Sequence, residues 1–183
     1  MIWVYESTLS GEIDYQKQHQ SGLDLVQFHF GYLPTIIKSA KGKPKFENEH
    51  LFFSVSHSEC KIVVAISLSE VGIDVQKIKT ISPRIMERKF HSNENASIND
   101  DEDFTLIWCA KESYGKYKGD GILYNSQEDD FSSLLTSEKA FINECNFTTI
   151  KQGEYVYCLC AAKEDEIVWV EMDEDELIKK VRK

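Results

Sequence analysis

The stretch EVGIDVQKI, Glu70 to Ile78, decides how this chain reads. Its apolar residues recur every second position, the period of a strand. Ile73 and Val75 therefore share one face, while Gly72, Asp74 and Gln76 share the other. The first face belongs in a core. The second places a carboxylate in an otherwise buried strand, where an unpaired charge is costly. Asp74 must therefore face a partner, and Gln76 points the same way. Gly72 beside them leaves room for a ligand to approach. The plainer alternative is an acid at a sheet edge, paired with a lysine.

Two β-rich stretches precede this one, LFFSVSH and KIVVAISL, and only Ser69 and Glu70 separate the last two strands. Upstream, IWVYES reads as an opening strand. Leu23, Val26, Phe30 and Leu33 follow at helical spacing, and KSAKGKPK (Lys38 to Lys45) forms a turn around Gly42 and Pro44. Downstream, Ser82 and Pro83 open a helix through Phe90, with Ser82 as its N-cap. SNENASINDDED, Ser92 to Asp103, is polar and acidic with no apolar period. It is expected as an exposed, mobile loop ending in a cap for the helix FTLIWCAKESYGKYK, which stops at Gly119. The rest is β-rich: KAFIN, FTTIKQ, YVYCLCAA and IVWVEM. Asp173 with Glu176 then suggests a capped terminal helix. The order repeats coarsely and predicts an α+β fold of two similar α/β halves. A shortened first half spans residues 1–69, and the second spans 70–183.

With 183 residues and 42% hydrophobic content, the chain can bury a real core. Its net charge of −10 argues against nucleic acid, which selects basic surfaces. The longest apolar run, IVVAI (Ile62 to Ile66), is too short to span a bilayer, so no membrane role is expected. The opening MIWVYESTLSGE lacks a basic region followed by an apolar one, so no secretion signal is expected there. Five cysteines, Cys60, Cys109, Cys145, Cys158 and Cys160, then imply reduced thiols in the cytoplasm. They lack the spacings of a zinc site and are expected to pack.

Trp108, Glu112 and Lys116 fall at i, i+4 and i+8 of the long predicted helix, on roughly one face. The same spacing also makes an ordinary exposed Glu–Lys pair, and Trp108 suits a core. His57 ends an apolar strand between Ser56 and Ser58. A serine hydrolase is excluded, since no Gly-x-Ser-x-Gly elbow occurs. The other histidines, His19, His29, His50 and His91, show no metal-ligand spacing, and GDG at 119–121 is no dinucleotide fingerprint.

Taken in order, Gly42-Lys43-Pro44, Ser56-His57-Ser58, Gly72-Ile73-Asp74 and Trp108-x-x-Lys111-Glu112-Ser113-x-x-Lys116 resemble the 4′-phosphopantetheinyl transferases of the surfactin type. Asp74 and Glu112 stand 112 − 74 = 38 residues apart. The resemblance covers Lys38 to Gly121, continues faintly through YCLCAAKED, and is poor before Lys38. It implies two halves related by a pseudo-twofold axis, with the site in the cleft between them. It also implies transfer of 4′-phosphopantetheine from coenzyme A to a serine of an acyl or peptidyl carrier protein, with release of 3′,5′-ADP. Magnesium would be held by Asp74 and Glu112, with Gln76 as a further ligand. Glu112 would act as general base, and Lys116 would contact the phosphates. His57 would bind a coenzyme A phosphate, Lys43 and Pro44 would line the adenine end, and Lys38 and Lys41 would meet the 3′-phosphate. The carrier would dock along Ser82 to Phe90, near Arg84, Arg88 and Lys89, with Ile85 and Met86 adding apolar contact. A monomer is expected.

Two departures from the family pattern stand out. Gln76 occupies a position where the family commonly has Glu; an amide is neutral and a weaker magnesium ligand, though its carbonyl oxygen can bind. The basic clamp for the 3′-phosphate is reduced to Lys17 and His19 within YQKQHQSG. The alternative function is therefore a degenerate relative that binds coenzyme A or a carrier without transfer.

Overall fold

Strand β5 (Lys61–Ser67) is buried on both faces, because it lies inside a stack of four layers. Ile62, Val64 and Ile66 face a helical layer, while Val63 and Ala65 face a second sheet. The structure, a computed structural model, describes residues 1–80, 83–120 and 127–182.

The first sheet has the order β10-β1-β5-β4. Strands β1 (Ile2–Thr8), β4 (Phe52–Ser58) and β5 pair antiparallel, and β10 (Ile167–Asp173) joins β1 in parallel. Helix α1 (Tyr15–Phe30) covers the outer face. Asp14 caps its first turn, and Gly31 ends it with φ of 75°, a left-handed conformation glycine adopts without strain. Beside α1 lies α5 (Glu174–Val181), held partly by Gln27, which donates to the Val181 carbonyl. The chain's last strand and helix thus return to the layers of the first half, while the second sheet is built from residues 71–161.

That second sheet has the order β6-β9-β8-β7, all antiparallel: β6 (Val71–Lys77), β7 (Lys139–Ile142), β8 (Cys145–Gln152) and β9 (Tyr155–Ala161). Val71, Ile73 and Val75 meet Tyr157 and Leu159 in the core between the sheets. Cys158 and Cys160 alternate to the other face, under α4 (Asp101–Lys118). All five cysteines are free thiols, and all but half-buried Cys60 are buried. A short hairpin of β2 (Ile36–Lys38) and β3 (Pro44–Phe46) completes the strands, turning at Gly42 with φ of 87°.

The acidic stretch after Phe90 is not a mobile loop. His91 caps a short helix, α3 (Ser92–Ser97). Glu94 accepts from the backbone N–H groups of His91 and Phe131, at 2.7 and 2.9 Å. Its other contact is an ion pair with Lys111, 2.8 Å away, and both side chains are fully buried. This helix docks through charge rather than an apolar stripe, so it leaves no hydrophobic period in the sequence. Helix α2 (Pro83–Lys89) buries none of its residues, although Met86 leans on the second core. The expected N-cap at Ser82 lies outside the described residues, as does Gly121. Trp108 packs in the core beside Phe90 and Phe104, as its helix position suggests. Among the described residues, no helix is long and apolar enough to cross a membrane.

Candidate active site

Gly72 sets the distance between strand β6 and helix α4. A Cβ there would lie 2.0 Å from the Ser113 carbonyl oxygen and 2.6 Å from the Tyr117 nitrogen. The space beside Gly72 therefore belongs to α4 and not to a ligand, which corrects the expectation from the strand pattern. Close approach of the helix brings its polar face onto Asp74.

Asp74 is buried and fully engaged. Its Oδ1 accepts from the Ser56 hydroxyl at 2.6 Å and from Lys116 Nζ at 2.7 Å, and its Oδ2 accepts from Gln76 Nε2 at 2.8 Å. Lys116 also donates to the Ile73 carbonyl at 3.1 Å. The costly charge seen in the sequence is thus compensated by one ammonium and two neutral donors. Behind it, burial and then the charge of Asp74 push the Cys109 thiol up, so it stays protonated.

Glu112 sits one helical turn before Lys116 and is half-buried. It receives no hydrogen bond from any described residue. Burial first, and the charge of Asp74 next, raise its carboxyl above the usual range, against the pull of Lys116 and Lys89. Two desolvated acids of like charge form a site that a divalent cation would relieve. The oxygens that could hold such a cation are those of Asp74, Glu112 and, with its amide turned over, the carbonyl oxygen of Gln76. Oxygen ligands of this kind suit magnesium. No group of three or more His, Cys, Asp or Glu residues forms a metal cluster among the described residues.

Lys116 also lines a pocket of about 480 Å³ whose other walls come from the β2–β3 hairpin, β4 and the end of α4. Lys41, Lys43, Pro44, Phe53 and Asp120 line it beside Lys116. All three of its lysines already have partners, Lys116 through Asp74. Lys41 pairs with Asp120 at 2.6 Å. Lys43 pairs with Glu70 at 2.6 Å and donates to the carbonyls of Val71 and Tyr117. It therefore straps the hairpin to β6 and α4, leaving its stem and Pro44 as wall. Lys38 is exposed on β2 and lies outside this pocket.

His57 lines an adjoining apolar pocket of about 150 Å³ between α1 and β4, which shares Pro44, Phe53 and Val55 with the first. The Tyr15 ring meets it edge-on, with centroids 6.5 Å apart, and stacks on His19. Desolvation, and then Lys116, lower the His57 pKa, while Asp74 acts the other way. Lys17 does not join this cluster. It pairs with Glu174 at 2.9 Å and donates to the Ser10 carbonyl, facing α5. A larger groove of about 630 Å³ between α1 and α5 contains no residue of the four motif segments.

Sequence reasoning missed the partners of these residues: Ser56, Glu70, Glu94 and Asp120. It also missed a buried cluster between the sheets, where Glu6 accepts from Lys61 and from the Tyr157 hydroxyl. Ser54, Ser56 and Ser58 did carry a signal, because they alternate onto one face of β4.

Comparison with known proteins addresses the segment that builds the acid pair. The 4′-phosphopantetheinyl transferase superfamily model matches residues 70–165. The 4′-phosphopantetheinyl transferase gsp of Aneurinibacillus migulanus is 38% identical over 91 residues, 46% of this chain and 38% of that protein. The 4′-phosphopantetheinyl transferase ffp of Bacillus subtilis is 34% identical over 136 residues, 67% of this chain and 59% of that protein. Sfp of Bacillus subtilis strain 168, also a 4′-phosphopantetheinyl transferase, is 34% identical over 76 residues, 38% of this chain and 34% of that protein. The chain thus matches between 34% and 59% of the length of these three relatives. The match runs through β6, α4 and β9, the elements that set Asp74, Glu112 and Lys116 together, and on it the chain belongs to the 4′-phosphopantetheinyl transferase superfamily.

Proposed function

We propose that this chain transfers 4′-phosphopantetheine from coenzyme A to a serine hydroxyl of an acyl or peptidyl carrier protein. One observation carries the reading: Lys116 lines a pocket walled by the β2–β3 hairpin, β4 and α4 and also binds Asp74, with Glu112 one turn away. In the reaction the serine oxygen attacks the phosphorus that bears pantetheine. The bond to the adenosine 5′-phosphate breaks, and 3′,5′-ADP leaves. Glu112 takes the hydroxyl proton, directly or through a water. Lys116 balances charge on the departing 5′-phosphate. Asp74, Glu112 and the Gln76 carbonyl oxygen would hold magnesium, which when bound neutralises the diphosphate. Lys43 and Pro44 line the adenine end, His57 meets a phosphate, and Lys41 serves the 3′-phosphate, whereas Lys38, outside the pocket, has no part in it. The carrier docks on α2, whose unburied Arg84 and Arg88 suit an acidic partner despite the net charge of the whole chain. The chain acts as a monomer in the cytoplasm.

The test is mass spectrometry of several apo-carriers incubated with the protein, coenzyme A and magnesium. The expected result is a gain of one phosphopantetheine. Glu112→Gln and Lys116→Ala should each slow transfer by about 10²-fold or more with the fold retained. Absence of any gain across the panel overturns the reading.

Two observations support a second reading, binding without transfer. The Gln76 amide covers Asp74 Oδ2, and Lys17 faces away from the pocket. Calorimetry with coenzyme A separates the two, since this reading requires binding with no modified carrier.

A further inference from the structure

Strands β4 and β6 lie side by side where the two sheets meet, yet they belong to different sheets. Serine side chains join them. Ile73 donates its backbone N–H to Ser54 Oγ at 3.1 Å, and Lys77 donates to Ser58 Oγ at 3.0 Å. Both contacts advance four residues along each strand, so the strands run in the same direction. The serines fall on every second residue of β4, the period that puts them on one face.

Ser56, between them, breaks this pattern. A hydroxyl can donate or accept. Ser54 and Ser58 accept from backbone, whereas Ser56 donates to a side chain, Asp74 Oδ1, at 2.6 Å. Both residues are buried, Ser56 at 5% exposure and Asp74 at 2%. The register of the two strands is already held on either side of Ser56. Its hydroxyl is therefore available for the carboxylate.

The effect on Asp74 is specific. Oδ1 has two donors from opposite sides of the site, Ser56 from the first sheet and Lys116 from α4. Together they fix the plane of the carboxylate and occupy one oxygen. Among the described residues, Oδ2 accepts from the half-buried Gln76 amide on the same strand, and the buried Cys109 thiol lies behind the carboxylate. Rotating that amide frees Oδ2 without disturbing the seam, whereas freeing Oδ1 would break both cross-element contacts. Without Ser56, only Lys116 would hold Oδ1, and its flexible stem sets no plane.

We propose that Ser56 is a positioning residue: it locks Oδ1 of Asp74 so that Oδ2 is the oxygen presented to a cation. The assignment rests on the reading of Asp74 as a metal ligand. Ser56 touches no reacting atom; it acts through Asp74. Its hydroxyl also makes the geometry of a second-half acid depend on a first-half strand, so the site is complete only while the halves are docked.

The test measures Mn²⁺ binding to the full chain by electron paramagnetic resonance, with circular dichroism and thermal melting on the same samples. Ser56→Ala should weaken Mn²⁺ binding by about 10- to 100-fold, the usual effect of removing a group that orients a metal ligand. Ser56→Thr keeps the hydroxyl and should restore it. Ser58→Ala removes a seam contact far from Asp74; it should lower the melting temperature and leave Mn²⁺ affinity unchanged. Unchanged Mn²⁺ binding in Ser56→Ala overturns the proposal, as does an equal loss in Ser58→Ala, which would make the effect one of the seam. The parent chain separates this from the functional reading. If it binds Mn²⁺ but modifies no carrier, transferase activity fails while the role of Ser56 is still decided by its variants. If the parent binds no Mn²⁺, both fail.

Discussion

The Cβ that Gly72 lacks would lie 2.0 Å from the carbonyl oxygen of Ser113, closer than any real contact. Helix α4 rests directly on the backbone of β6 at this point, which lets Lys116 reach Asp74 at 2.7 Å. Gly72→Ala must push the helix off the strand, and the obstacle is backbone that cannot swing aside. We expect a loss of about 3 kcal/mol or more in chemical denaturation, the upper range for overpacking. Any folded fraction should bind Mn²⁺ poorly, since Asp74 and Glu112 sit on the two elements forced apart.

Much of this arrangement was legible in the sequence, through periods and spacings. The alternation in VGIDVQK placed Ile73 and Val75 in the inter-sheet core and turned Asp74 and Gln76 to the α4 face. What could not be read were contacts with no local pattern. Glu94 and Lys111 are 17 residues apart (111 − 94), Glu94 in a segment that looks solvated and Lys111 in the long helix, yet they neutralise each other in the core. Gly72 misled in a different way: its missing side chain showed that something comes close, but not that the neighbour is a helix. The return of β10 to β1 was likewise hidden, because a strand's sequence does not name its partner.

The Glu94–Lys111 pair gives a second prediction. Burial raises the Glu94 pKa and lowers that of Lys111, each against the pull of the other. Desolvation thus dominates both, and the pair relies on staying intact. Glu94→Gln leaves a buried ammonium without its carboxylate and should cost about 3–5 kcal/mol. Glu94→Gln combined with Lys111→Met should recover much of that loss. A double-mutant cycle by urea denaturation checks it.

A third concerns His57. Its folded pKa lies below the ordinary 6.5, chiefly from desolvation and then from Lys116. As pH falls through 6.5, the unfolded chain takes up a proton that the folded chain resists. Stability should therefore decline with falling pH in this window, and His57→Asn should flatten that decline. In an NMR titration, Lys116→Ala should move the His57 pKa upward, while Asp74→Asn should move it downward.

The fourth concerns Lys41 and Asp120. Their pair is largely exposed on the Lys41 side, so it contributes at most about 1 kcal/mol to stability. A phosphate entering the pocket would have to compete with Asp120 for Lys41. Asp120→Asn should therefore leave the melting temperature nearly unchanged and tighten coenzyme A binding on the order of fivefold, equivalent to ~1 kcal/mol. Calorimetry at low and moderate salt checks both the gain and its screening.

The last prediction turns on Gln76. With its Nε2 donating to Asp74 Oδ2 at 2.8 Å, the amide provides hydrogen-bond donation that a glutamate could not. Gln76→Glu replaces that donor with a second carboxylate beside a buried one. Without metal the two acids repel, and the variant should melt below the parent. With magnesium the added charge becomes a better ligand, so the variant should gain more thermal stability from magnesium than the parent does. Its affinity for Mn²⁺ should also rise. On this view Gln76 trades metal affinity for a site that is stable when empty. A variant that melts at the parent's temperature without metal and gains nothing from magnesium would show that the amide plays neither part.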